Sequence, residues 1–159
     1  MAIVERLLQV AVGPKKVSIV HIMDKATAGA TMALALIYMK TNDESVALKI
    51  DIPETQHLFD YVRPDMFLLR TVARNIIMWD HIKGEFEWIR DQLRPFHAVK
   101  FKMTTIKNLD SEDLPFYNIM AGLCFSIALK YAGSGLESVR DVLVHFLDQF
   151  IRLASIPVL

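Results

Sequence analysis

At 159 residues and 18.1 kDa, the chain is long enough to bury one core and too short for two ordinary domains. Its 18 lysines and arginines are balanced by 18 aspartates and glutamates, which leaves no electrostatic surplus to hold a polyanion or an anionic membrane surface and speaks against nucleic acid as a partner. An apolar fraction of 53% and a mean hydropathy of +0.30 exclude disorder over most of the chain.

The opening Met1-Ala2-Ile3-Val4-Glu5-Arg6 carries an acid and no long apolar run behind a basic head, so it does not read as a secretory signal. Ile3 to Val12 is a short apolar run ended by Gly13-Pro14, and the β-branched run from Val17 to Ile22 is predicted to be extended. Ala26 to Lys40, rich in alanine and long apolar residues and free of proline, is predicted as a helix. Thr41-Asn42-Asp43 supplies a turn and then a cap for a shorter helix from Glu44 to Ile50. Pro53 and Pro64 each suit the first position of a helix. The first of these pieces runs to about Tyr61. The second, Asp65 to Ile82, is apolar nearly all round except for a polar stripe at Arg70, Thr71, Arg74 and Asn75. Gly84 to Leu93 is predicted as a weaker helix carrying Phe86 and Trp88, and Arg94 to Asp113, which lacks clear periodicity, as a loop or insertion. Asp113 is the expected cap of a helix from Leu114 to about Ala132. Gly133-Ser134-Gly135 ends it, and Leu136 to Ala154 forms a last, amphipathic helix. The uncharged stretch Leu114 to Leu129 spans 16 residues and includes Pro115 and Asn118, short of the about 20 apolar residues a membrane span needs, so no membrane segment is expected. Cys124 is the single cysteine; it has no internal partner for a disulfide and points to a reducing intracellular compartment. The expected class is all-α.

An all-helical chain is tested first for internal repetition. Sliding the sequence on itself by 93 residues pairs Ala28-Gly29 with Ala121-Gly122, Ala35-Leu36 with Ala128-Leu129, Tyr38 with Tyr131, and Glu44-Ser45-Val46 with Glu137-Ser138-Val139: eight identities across the nineteen positions from Ala28 to Val46. Each copy reads as a helix that starts on a small pair, a tyrosine near its end, a polar turn and a second helix. A hairpin of this kind does not bury its apolar faces alone, and stacked copies share them in an α-solenoid. The copies are placed at about 26–51 and 119–155, with a degenerate middle copy at about 53–93 centred on the Pro64 to Ile82 helix and the insertion at 94–113, all within a single partial repeat domain. Gly29, Ala30, Ala33, Gly122 and Ser126 are expected to let a neighbouring helix backbone approach closely, and Ala28, Tyr38, Ala121 and Tyr131 complete the packing set.

Gly29 to Asn42, followed by Arg63-Pro64-Asp65-Met66-Phe67-Leu68-Leu69-Arg70-Thr71-Val72-Ala73-Arg74-Asn75-Ile76-Ile77-Met78-Trp79-Asp80, resembles the subunit 1 family of the anaphase-promoting complex, or cyclosome. The second copy, Ala121 to Ser134, is similar to that family's proteasome/cyclosome repeats, and the resemblance runs from roughly Val17 to Ser155. It implies repeats closing into an α-toroid, of which a chain this short covers only part. It further implies a non-catalytic scaffold in a ubiquitin ligase of mitosis. The implied partners are the other subunits and the coactivator that brings in substrates, with nuclear and cytoplasmic residence. A repeat subunit of the proteasome regulatory particle is the alternative in the same architecture, and the Pro64 to Asp80 motif argues against it. A small all-helical enzyme with an apolar pocket is the alternative from another class.

Constellations that bear chemistry are few. Cys124 with His145 is the one pair that suggests a thiol nucleophile, yet Cys124 lies in an apolar helix and reads as a small buried hydrophobe. His145 and Asp148 have the spacing of metal ligands without the third and fourth that a zinc site requires. Asp80 and His81 are adjacent on a helix and point in different directions. No cofactor is expected. Arg70 and Arg74, one turn apart on a largely buried helix, need acceptors; they serve either to lock repeat to repeat or to dock a partner. A solenoid cut short exposes the faces that neighbours would cover, so self-association into a two-fold dimer is expected of the isolated chain.

Overall fold

The computed structural model describes residues 2–12, 20–50, 52, 62–96 and 113–156. Every regular element among them is helical: α1 (Ala2–Val12), α2 (Val20–Ile37), α3 (Glu44–Ala47), α4 (Pro64–Ile77), α5 (Phe86–Leu93), α6 (Leu114–Lys130) and α7 (Glu137–Ala154), with 3-10 turns at Trp79–His81 and Arg94–Phe96. The chain divides into two compact units, Met1–Ile52 with Leu69–His81, and Pro53–Leu68 with Ile82–Leu159.

In the first unit α1 packs on α2. The fully buried Thr27 ties the two helices together by donating its hydroxyl to Val10 O at 3.2 Å, and Thr31 satisfies its own buried hydroxyl on Thr27 O at 2.8 Å. Val20 to Ile22, predicted to be extended, are the first residues of α2. Their β preference is a few tenths of a kcal/mol per residue, about what helix propensity scales allow, and the alanine-rich stretch behind them carries the helix through; the rest of that run lies outside the described residues.

Helix α2 stops at Ile37, earlier than expected. Tyr38 to Lys40 form a turn in which Lys40 (φ 61) and Asn42 (φ 53) adopt left-handed backbone. Asp43 caps α3 as predicted, its Oδ1 accepting from Val46 N–H at 3.2 Å and from the Ser45 hydroxyl at 2.7 Å. The α4 helix was expected to reach Ile82 and ends at Ile77 for a tertiary reason. Continued, it would bond Asp80 N–H to Ile76 O and His81 N–H to Ile77 O. Instead Lys40 N–H donates to Ile76 O and Asn42 N–H to Ile77 O, each at 3.0 Å. Asp80 N–H turns to Asn42 Oδ1 at 3.1 Å, and Asn42 Nδ2 returns a bond to Asp80 Oδ2 at 2.8 Å. The polar stripe of α4 is largely withdrawn from water: Arg70 and Thr71 are buried, and Arg74 and Asn75 are half-buried.

In the second unit α6 packs against both α5 and α7. Phe116, Tyr117, Ile119, Met120, Leu123 and Ile127 are buried along most of the circumference of α6, as its uncharged sequence requires. Pro115 stands in its first turn, where the missing N–H costs no bond. Asp113 occupies the N-cap position without making the expected side-chain cap: its backbone is already helical (φ -87, ψ -15) rather than in the extended conformation a capping residue adopts. Gly133 (φ 73) and Gly135 (φ 65) end the helix in left-handed backbone, as predicted. Gly84 is forced by contact: a Cβ there would sit 2.5 Å from Val139 Cγ2 and 3.2 Å from Tyr131 Cε2. Beside it Lys130 Nζ donates to Ile82 O at 2.8 Å. The predicted 53–61 helix and residues 97–112 of the predicted 94–113 insertion lie outside the described residues.

Candidate interaction surface

The turn after α2 and the turn after α6 have the same construction at an offset of 93 residues. Helix ends Ile37 and Lys130 correspond, as do the left-handed pairs Lys40/Gly133 and Asn42/Gly135 and the helix starts Glu44 and Glu137. Thr41 N–H donates to Tyr38 O at 3.1 Å and Ser134 N–H to Tyr131 O at 3.0 Å. The Thr41 hydroxyl then accepts from Asp43 N–H at 3.3 Å, and the Ser134 hydroxyl from Leu136 N–H at 3.4 Å. The residue types differ, Lys-Thr-Asn in one turn and Gly-Ser-Gly in the other.

Their surroundings differ sharply. In the first hairpin Ala35, Ala47 and Ile50 are 0%, 2% and 0% exposed. Their counterparts at the same offset, Ala128 and Arg140, are exposed, and Leu143 is half-buried. The second hairpin thus carries an open groove of about 460 Å³ lined by Ala128, Tyr131, Leu136, Val139, Leu143 and Leu147 among others. On α7 the groove continues into a ridge of Val144, Leu147 and Ile151, spaced three and four residues apart and 48%, 55% and 59% exposed. Singly exposed apolar residues are ordinary; a contiguous groove and ridge of them makes this face a candidate interaction surface.

The packing set named from the sequence is divided by this geometry. Gly122 and Ser126 are buried, and the Ser126 hydroxyl donates to Gly122 O at 2.7 Å. Ala28, Ala33, Tyr38, Ala121 and Tyr131 are half-buried. Gly29 is exposed, and a Cβ added there would meet nothing within 4 Å; a close approach is made at Gly84, which sequence reading passed over because its partners Tyr131 and Val139 lie far along the chain. Arg70 is buried, Arg74 half-buried, and both are engaged by other groups. The left-handed donors Lys40 and Asn42 were also missed. The signal available was that the repeat offset sets them against two glycines, and asparagine is, after glycine, a residue that tolerates this backbone.

The groups considered for catalysis have other surroundings. Burial pushes the Cys124 thiol up to about 12, so it does not supply a thiolate at neutral pH. His145 stands edge-on to Phe86 (ring centroids 5.1 Å apart, planes at 85°) and to Phe146 (5.3 Å, 87°), a packing role for its ring. Asp80 is held by Asn42. Among the described residues no three histidine, cysteine or acidic side chains gather as a metal site, and no helix is long and apolar enough to cross a membrane.

Two helix hairpins of matching turn geometry, the second of them carrying an open apolar groove, define an all-helical protein. Residues 1–158 match the family model of the APC1 fifth domain, and the chain belongs to that family. It is 56% identical over 157 residues to the negative regulator of mitosis of Emericella nidulans, covering 99% of this chain and 8% of that relative. It is 46% identical over 135 residues to anaphase-promoting complex subunit 1 of Schizosaccharomyces pombe, covering 85% of the chain and 9% of the relative. With the Homo sapiens subunit 1 the identity is 34% over 143 residues, 85% of the chain and 7% of the relative. The chain therefore spans less than a tenth of the length of these curated relatives.

Proposed function

We propose that this chain is a scaffold segment of an anaphase-promoting complex subunit, acting in mitosis by presenting stacked helix hairpins to other subunits and helping to accommodate the coactivator. The observation that carries the reading is the family match over residues 1–158 together with relatives named anaphase-promoting complex subunit 1. The repeat interpretation, with hairpins belonging to an α-solenoid or a sector of an α-toroid, draws support from the two turns that share backbone signs and hydrogen bonds at one offset. The surroundings of Cys124 and His145 favour a role without chemistry of its own. The reading places the protein in the nucleus and cytoplasm. In an isolated chain the open groove and ridge pair two copies; a monomer by light scattering at high micromolar concentration would count against that.

The decisive experiment tags the chromosomal copy of the gene and purifies its product gently from mitotic cells. Cullin, RING and tetratricopeptide subunits in the eluate are the expected result. Their absence, with the tagged protein intact and abundant, overturns the proposal.

A further inference from the structure

Helix α7 ends on Arg152-Leu153-Ala154-Ser155-Ile156, with Pro157 next in the sequence. Ser155 is the one serine or threonine of the chain that has an arginine three residues before it. Arg152 and Ser155 are exposed, Ile156 is half-buried and Leu153 is buried. The Arg152 guanidinium enters no ion pair among the described residues, whereas those of Arg63, Arg94 and Arg140 hold Asp65, Asp91 and Asp141. It is therefore open to carboxylates of another protein. The Ser155 hydroxyl donates to Arg152 O at 2.6 Å, the Ser155 N–H to the same carbonyl at 3.2 Å, and the Ile156 N–H to Leu153 O at 3.1 Å. Such bonds over three residues make the tightened last turn of a helix, the part that opens most easily. Proline at 157 disfavours helical backbone at Ile156, so the helix goes no further.

We propose that Ser155 is a phosphorylation site for a kinase that selects arginine at the third position before serine, and that the phosphate unwinds the last turn of α7. Carboxylates of such a kinase pair with the Arg152 guanidinium, and an apolar pocket takes Ile156. Ser155 Oγ attacks the γ-phosphorus of ATP, and the new Oγ–P bond forms as the bond from that phosphorus to the β,γ-bridging oxygen breaks. The hydroxyl proton passes to a carboxylate of the kinase, and ADP leaves. The product no longer has a hydroxyl to donate to Arg152 O. It also places close to two negative charges at the carbonyl end of α7, where the helix already carries negative partial charge. The inference goes beyond the scaffold reading and does not depend on it, since it rests on the end of α7 alone.

The test uses the full-length polypeptide in its native assembly, incubated with ATP and a purified kinase selective for arginine at that position. Phosphopeptide mass spectrometry is expected to find phosphate at Ser155 and none at Ser45, Ser134 or Ser138, which are also exposed but lack the arginine. Arg152→Gln, a change to an exposed side chain, is expected to slow the reaction at Ser155 by about tenfold or more. An unchanged rate in that variant overturns recognition through Arg152. No phosphate at Ser155 of the assembly overturns the site, and phosphate there only after heat denaturation does the same, because the fold then conceals it. The same phosphopeptide is expected from cells treated with a phosphatase inhibitor; recovery of the unmodified peptide alone overturns its use in the cell. In the phosphorylated polypeptide the Ser155 and Ile156 amides are expected to exchange about fivefold faster, with Lys40 and Asn42 unchanged. Unaltered exchange at Ser155 and Ile156 overturns the unwinding.

Discussion

The turns at 40–43 and 133–136 follow one backbone path with opposite strategies. At Gly133 and Gly135 the left-handed conformation is supplied by glycine, which adopts it without steric cost. At Lys40 and Asn42 the same conformation costs roughly 1 kcal/mol or more per residue, and tertiary contacts offset it. Lys40 Nζ lies 4.6 Å from the centroid of the Trp79 ring, worth about 0.5–1 kcal/mol at an exposed site. Asn42 exchanges two hydrogen bonds with Asp80. The difference teaches that a strained residue in a turn is itself a sign of what covers the turn. Where a helix end is held against it, side chains that grip that helix are worth their strain; where nothing described covers it, only the backbone geometry is kept.

Substitutions can separate the two strategies. The largest expected effect is at the close approach onto the second hairpin. Gly84→Ala places a Cβ against the short, buried side chain of Val139 and should destabilise by about 1–3 kcal/mol, read as a lowered urea midpoint by far-UV circular dichroism. Gly29→Ala, in open space on α2, should be neutral or stabilise by up to about 1 kcal/mol. Equal effects at the two glycines would mean that Gly84 is not where the segments meet.

Next in size is Asn42→Ala, which combines left-handed strain with loss of the Asp80 bonds and is expected to cost about 2 kcal/mol. Asn42→Gly removes the strain and keeps the loss, so it should cost about half as much. If the glycine variant is as unstable as the alanine variant, the side-chain clamp alone carries the turn and the comparison of backbone strategies fails. A smaller effect follows for Gly135→Ala, about 1 kcal/mol from backbone strain alone, since the added methyl meets no atom; a cost as large as that of Asn42→Ala would reveal contacts at the second turn that match those of the first.

The smallest effect is a pH dependence present in one hairpin only. Hydrogen bonds from the Ser45 hydroxyl and the Val46 N–H hold the Asp43 carboxyl below its ordinary value of 3.8. A carboxyl whose folded-state pKa is depressed contributes stability above its unfolded value and loses it as pH falls through the folded one. The first hairpin's cap should therefore weaken only below pH 3.8, seen as a titration of the Val46 amide resonance. Val139, at the matching position behind Leu136, has no carboxylate cap and should show no such titration. A Val46 midpoint at or above 3.8 would show that the cap is not formed in solution.

Much of the helical layout was legible because it rests on local chemistry. Asp43 read as a cap, Pro64 as a helix start and Gly133-Ser134-Gly135 as a stop, and each does that work in the fold. Errors occurred where distant residues decided. The end of α4 depends on Lys40 and Asn42 taking its carbonyls, and nothing in Met78-Trp79-Asp80-His81 announces that. Asp113 carries the right residue type for a cap, but the chain arrives already in helical backbone. The candidate surface was legible only in part. The repeat offset located the two hairpins, and apolar residues such as Leu147 and Ile151 were visible as one face of a helix; which hairpin is covered was not.

The sequence by itself determined the all-helical class, the family through its Gly29 to Asn42 and Arg63 to Asp80 motifs, and the turn residues that the two hairpins share at one offset, because periodicity, caps and turn residues act over a few positions. Only the tertiary structure decided that Ala35, Ala47 and Ile50 are buried while Ala128 and Arg140 are not, and that Gly84 rather than Gly29 marks a close approach. Burial is a relation between segments far apart in the chain, and two stretches with eight identities in nineteen positions acquire different surfaces when, among the described residues, only the first meets a helix end.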